Sequence, residues 1–255
     1  MPRCIECNTV VDRIVQPENE VVEKCTTCHR WCDRYYEFTG CQKVISVILL
    51  ERSAWIHVLF NRREIRSSLF FTALLSCMIE SYVVCITTVF RTLRAMDAYK
   101  PLSLIANVTS VETLQLFRNM DPKVGERLLY KTWPTIFVYA CGEYALCLAT
   151  ATLLGLRSHP RSGATVWECV LTWMTCVNLA YSAKLCFVVF LIWRIPISFV
   201  PLVDLICFLW AVRGFSLVEN RYSPFLTAVV ILLCTTLTRA LFRHVTKWSP
   251  QLLVR

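Results

Sequence analysis

Residues 69–90 read LFFTALLSCMIESYVVCITTVF, a stretch of 22 residues with a single charge, Glu80. As a helix it rises about 33 Å, enough to cross a hydrocarbon core of ~30 Å. In such a core each backbone polar group must be satisfied within the segment, so this stretch decides the fold as a helical membrane protein. Further spans are read at 134–156, opened by Pro134, and at 166–193. Two softer stretches are 195–212, with Pro196, Pro201 and Asp204, and 224–242, where Arg239 near the end can snorkel. The expected bundle, residues 68–255, therefore has four or five helices.

Composition agrees. Apolar residues make up 56% of the chain, and polar surface becomes scarce after residue 68. Residues 1–67 carry ten Lys/Arg against nine Asp/Glu, so the net charge of +9 arises around the apolar stretches. Basic residues placed there meet anionic headgroups, and a nucleic-acid partner is not expected. MPRCIEC has no apolar signal-peptide core, so the front end is expected to stay attached. Loop charge leaves orientation open, because the 91–133 connection has seven Lys/Arg while the 157–165 turn has Arg157 and Arg161. Asn107, in the sequon NVT, would be lumenal if the front end is cytosolic.

Ahead of the spans stand two Cys-x-x-Cys pairs, Cys4/Cys7 and Cys25/Cys28, separated by 17 residues. Four thiolates hold tetrahedral zinc at ~2.3 Å and leave no position for water, so the expected role of the metal is structural. TVVDRIV and EVVEKC read as short strands turning at QPEN, which would bring the pairs face to face. Residues 1–41 are thus expected to form a small β-rich zinc ribbon that needs its metal to fold. Thiolate ligands favour a reducing, cytosolic side. Redox chemistry at the pairs lacks the strand–helix setting it needs. His29, Cys32 and Cys41 fall one ligand short of a second, cross-braced site, and Cys32 reads as a buried thiol.

Between this module and the first span lies QKVISVILLERSAWIHVLFN, residues 42–61, apolar but interrupted by Glu51, Arg52 and His57. Charges at mid-bilayer are expensive. Residues 42–67 are therefore expected to lie at the interface as an amphipathic helix, with Trp55 at the headgroups and Arg62, Arg63 and Arg66 as a basic collar. A helix buried in the front domain is the other reading.

Five ionisable residues fall in or beside apolar stretches: Glu80, Glu143, Glu168, Lys184 and Asp204. Glu168 sits near a span end. Glu80 and Glu143 are mid-span, with Tyr82 and Tyr144 close by, and make a candidate intramembrane polar site. They either tie helices through Glu–Tyr contacts or form a polar floor for a lipid headgroup or sterol hydroxyl. Lys184 has Glu143 and Asp204 as candidate partners. His29, His57, His159 and His244 fall in no catalytic arrangement and the six glycines form no phosphate loop, so no enzyme is expected.

Taken in order, CIEC, CTTC, DRYYEF, VILLERSAWIHVLFNR and MIESYVV resemble the Arv family of endoplasmic-reticulum membrane proteins. The resemblance covers the first third of the chain. Its motif positions fall on Cys4, Cys7, Cys25 and Cys28; on Asp33, Arg34, Tyr35 and Glu37; on His57, Leu59, Phe60 and Asn61; and on Glu80 with Tyr82. Ile56 stands where members usually carry Arg, and Ser46 where an acidic or polar residue is common. The resemblance implies a role in lipid homeostasis: sterol movement out of the endoplasmic reticulum, sphingolipid balance, and an early step of glycosylphosphatidylinositol anchor synthesis. The implied partners are membrane lipids, sterols among them, or a lipid-modifying enzyme complex that the protein supports as a scaffold.

Overall fold

The computed structural model describes residues 2–16, 21–97, 122–157, 165–189, 200–218 and 223–246. Residues 17–19 of the QPEN turn, Asn107, His159, Arg161 and Pro196 lie outside them. Within them the chain is mostly helical: α1 (Gly40–Ile48), α2 (Arg52–Ile56), α3 (Arg66–Asp97), α4 (Pro122–Arg157), α5 (Val166–Ser182), α6 (Val200–Val218) and α7 (Pro224–Thr246). Three described stretches, Arg63–Cys85, Trp133–Arg157 and Val166–Val189, are long and apolar enough to cross a membrane. A fourth span results if the bent pair α1–α2 counts as one.

Two expectations about elements need correction. The front end is not a β-rich ribbon, because among the described residues its strands meet only at isolated bridges, Arg3–Val10, Val15–Val22 and Lys24–Trp31. The β-branched residues between the knuckles favour extended chain but do not by themselves specify a ladder. Pro134 does not open its helix either. Pro122 takes the first position, where a missing N–H costs nothing, and Pro134 lies inside α4.

The chain divides into two compact units. The first comprises Met1–Phe71, Leu148–Ala180 and Leu209–Leu233, and the second Thr72–Cys147, Tyr181–Phe208 and Cys234–Arg255. In the first unit, Tyr35, Trp55, Ile56 and Leu59 share a core with Cys176, Leu179 and Leu217. Trp55 is fully buried, so it is no headgroup anchor. Its indole N–H donates to the Val47 carbonyl at 3.0 Å, and its ring meets that of Trp210 edge-on at 5.6 Å. Nearby, α4 and α5 touch backbone to backbone: a Cβ on Gly155 would lie 2.7 Å from the Val170 Cα.

Residues 42–61 form two helices instead of one. Thr39 starts α1 with a capping box, in which its hydroxyl accepts from the Gln42 amide and the Gln42 side chain accepts from the Thr39 N–H. The helix ends where Leu50 enters the left-handed region at φ 60°, and α1 and the Arg52–Asn61 segment diverge by 112°. Val44, Ile45, Ile48 and Leu49 lie exposed on one face of α1, the surface an interfacial helix presents to lipid. By contrast, α2 and the π turn after it, His57–Asn61, are buried from Ala54 to Phe60. The stretch is thus not one helix of one character: its second half is buried, while α1 keeps an apolar face exposed.

Candidate metal centre and buried polar sites

The two cysteine knuckles are built alike. Asn8 N–H donates to Cys4 O and His29 N–H to Cys25 O, both at 2.9 Å. Cys4 N–H then reaches Thr9 O at 2.9 Å, and Cys25 N–H reaches Arg30 O at 2.8 Å. Closing each turn takes a left-handed residue, Asn8 at φ 63° and His29 at φ 57°, and Asn and His are enriched in that region. His29 therefore serves the turn through its backbone.

The knuckles face each other. Cys4 Sγ and Cys28 Sγ stand 3.7 Å apart, Cys7 Sγ and Cys25 Sγ 3.6 Å, and all four sulfurs lie within 4.8 Å of one another. A tetrahedron of thiolates ~2.3 Å from zinc has edges of about 3.8 Å, so the four cysteines fit a metal ion of that kind. Cys32 packs beside Cys4 and Cys25 as a buried thiol. Without metal, burial pushes the Cys4 thiol up to about 12. At Cys25 burial also raises the value, but hydrogen bonds from the Cys28 and Thr27 amides outweigh it and bring the thiol down to about 6. Metal binding draws all four to thiolate and releases protons.

A buried polar junction ties this module to the turn after α2. Asp33 is 1% and His57 2% exposed, and His57 Nδ1 lies 2.6 Å from Asp33 Oδ2. The same oxygen accepts from Asn61 Nδ2 at 2.7 Å, while Asp33 Oδ1 accepts from the Tyr35 amide at 3.0 Å. Asn61 also grips the residue before Cys4: Arg3 N–H donates to Asn61 Oδ1 at 2.8 Å, and Asn61 Nδ2 donates to Arg3 O at 2.9 Å. The Arg3 guanidinium lies over the Phe60 ring at 4.1 Å. Thus Asp33, Tyr35, His57, Phe60 and Asn61 converge, whereas Glu37 is exposed. Sequence reasoning missed Glu51, whose Oε2 accepts from the Tyr35 hydroxyl at 2.5 Å. Its signal was a carboxylate lodged in an otherwise apolar run.

In the second unit, Lys184 Nζ donates to both carboxylate oxygens of Glu80, at 2.8 and 2.7 Å. Lys184 is 2% exposed and sits in a 3-10 turn, Ala183–Cys186, that follows α5. Its ion-pair partner is Glu80, with Glu143 and Asp204 close enough to act on the pair electrostatically. Glu143 is buried. The Tyr144 ring lies 4.9 Å from that of Tyr181, and Tyr181 also lies beneath the Lys184 ammonium, 4.7 Å from ring centre to nitrogen. Tyr82 is 41% exposed. In the first unit, Glu168 at the start of α5 pairs with Arg63 at 2.8 Å.

The Arv1-like family model matches residues 3–215. No curated protein and no solved structure matches the chain significantly. The match spans most of the sequence, and the chain belongs to the Arv1-like family, membrane proteins of lipid homeostasis.

Proposed function

We propose, with this membership as premise, that the protein is a non-enzymatic membrane protein of the endoplasmic reticulum that binds sterols and related lipids or helps to move them. Its cysteine module holds a structural zinc ion on the cytosolic face. The observation that carries the reading is the Glu80–Lys184 pair, with Glu143 and Asp204 around it. Charges kept among apolar helices are costly and mark function more often than not. Tyr144 and Tyr181 offer ring faces beside them, a setting that suits a sterol nucleus with its hydroxyl on a carboxylate. Photo-crosslinkable sterol added to the purified, zinc-loaded protein tests this. Saturable labelling near Glu80 or Glu143, weakened by Glu143→Gln, is expected; labelling that does not saturate would contradict it.

A second reading rests on the same pair. Lys184 gives two hydrogen bonds to Glu80, so each charge is already answered within the protein. The pair then ties helices together, and the protein serves as a scaffold that supports glycosylphosphatidylinositol anchor synthesis without binding lipid. Co-purification with a lipid-modifying enzyme, alongside absent sterol labelling, favours this alternative.

A further inference from the structure

We propose that Arg52 and Arg213, both in the first unit, form a binding site for the phosphate of an anionic phospholipid. Packing brings the helices that carry them together. Trp55, one turn after Arg52 in α2, rests on α6 so closely that a Cβ on Gly214 would lie 3.2 Å from the Trp55 ring. Arg213 is the residue before that glycine. It is only partly exposed, and its Nε is buried with no hydrogen-bond partner among the described residues.

Arg213 differs from the arginines of this unit that stand beside a carboxylate. Arg30 has Glu6 at 3.2 Å and Arg63 has Glu168 at 2.8 Å, while Arg66 feels Arg63 first and then Glu168. The neighbouring charge that acts on Arg213 is Arg52, another cation. Leaving one guanidinium half-buried and a second beside it is unfavourable unless an anion joins them. A phosphate suits the position, because its oxygens accept the paired N–H groups of a guanidinium fork.

The membrane supplies that phosphate at the right place. The exposed apolar face of α1 ends at Leu49, three residues before Arg52. Acyl chains against Val44, Ile45, Ile48 and Leu49 would carry a headgroup to the start of α2, where Arg52 is exposed. The site uses no residue of the second unit's polar cluster and stands whether or not that cluster binds sterol.

The test uses the full-length, zinc-loaded protein in a neutral detergent, with dioctanoyl phosphatidic acid as probe and dioctanoyl phosphatidylcholine and inorganic phosphate as comparisons. Thermal shift and native mass spectrometry read binding. Phosphatidic acid is expected to raise Tm saturably and to remain bound in the gas phase. Arg52→Gln and Arg213→Gln should each weaken this by about tenfold or more, Arg213→Lys by less, and Arg30→Gln not at all. Arg52 is exposed and outside the core, so its variant tests the site even if Arg213→Gln fails to fold. Undiminished binding in Arg52→Gln, or an equal shift with phosphatidylcholine or with inorganic phosphate alone, would overturn the proposal.

Discussion

The side-chain amide of Asn61 holds the Arg3 peptide by both its N–H and its C=O, at 2.8 and 2.9 Å, across 58 residues of sequence. One residue further on, Cys4 joins the sulfur cluster. The metal centre and the buried turn after α2 are therefore mechanically one piece, and Asn61 is the link.

Substituting Asn61 by Ala removes both bonds to Arg3 and the one to Asp33. Buried groups left without partners cost about 1–3 kcal/mol each. Hydrogen exchange across residues 52–61 should quicken markedly while zinc content stays near one per chain. Unchanged exchange would mean the link carries no load.

Asp33 receives His57, Asn61 and the Tyr35 amide together. Asp33→Ala should therefore destabilise the first unit by about 3–5 kcal/mol, the cost of breaking a buried polar network from one side. The loss should exceed that of Glu37→Ala, whose side chain is exposed. Melting temperatures of the two variants in one detergent give the comparison.

The Tyr35 hydroxyl, foremost, holds the Glu51 carboxyl below its usual range. A depressed carboxyl stabilises the fold above its unfolded value, about 4.3, and that stabilisation fades as pH falls through the lower folded value. The stability gap between the native protein and Tyr35→Phe should hold steady between about pH 5 and 8 and close below about pH 4. A gap that stays open at acid pH counts against the assignment.

Breaking the intramembrane pair from one side leaves a buried charge alone. Lys184→Met should destabilise by about 3–5 kcal/mol, and Glu80→Gln with Lys184→Met should recover most of it. A double variant no better than the single one would show the pair is not coupled as its geometry implies.

Helix contact gives a further test. Gly155→Ala places a methyl 2.7 Å from the Val170 backbone, which cannot yield as a side chain can, whereas a Cβ on Gly40 meets nothing within 4 Å. Overpacking of that kind costs about 1–3 kcal/mol, so Gly155→Ala should lower Tm and Gly40→Ala should not.

Some of this was legible in the letters. Cys4, Cys7, Cys25 and Cys28 announce themselves by spacing, and their sulfurs meet as expected, because each two-residue gap closes here as a tight knuckle. The apolar stretch at 69–90 likewise predicts a span that α3 contains. The failures were about partners distant in sequence. Nothing in the spacing of Lys184 points to Glu80, 104 residues away, over Glu143 or Asp204. Trp55 has the composition of a headgroup anchor, and only its packing on Trp210 and Gly214 makes it a core residue. The strands expected between the knuckles were lost because β-branched residues mark extended chain without specifying a ladder. Glu51 looked like a blemish in an apolar run until Tyr35 stood opposite it.

The most direct measurement is hydrogen exchange on the full-length protein with its zinc bound and after chelation. Residues 52–61 should lose protection together with residues 2–16 and 21–36, because Asn61 and Asp33 lose the module they hold. Deprotection confined to the cysteine module, with residues 52–61 unchanged, would contradict the view that the metal centre organises the buried junction.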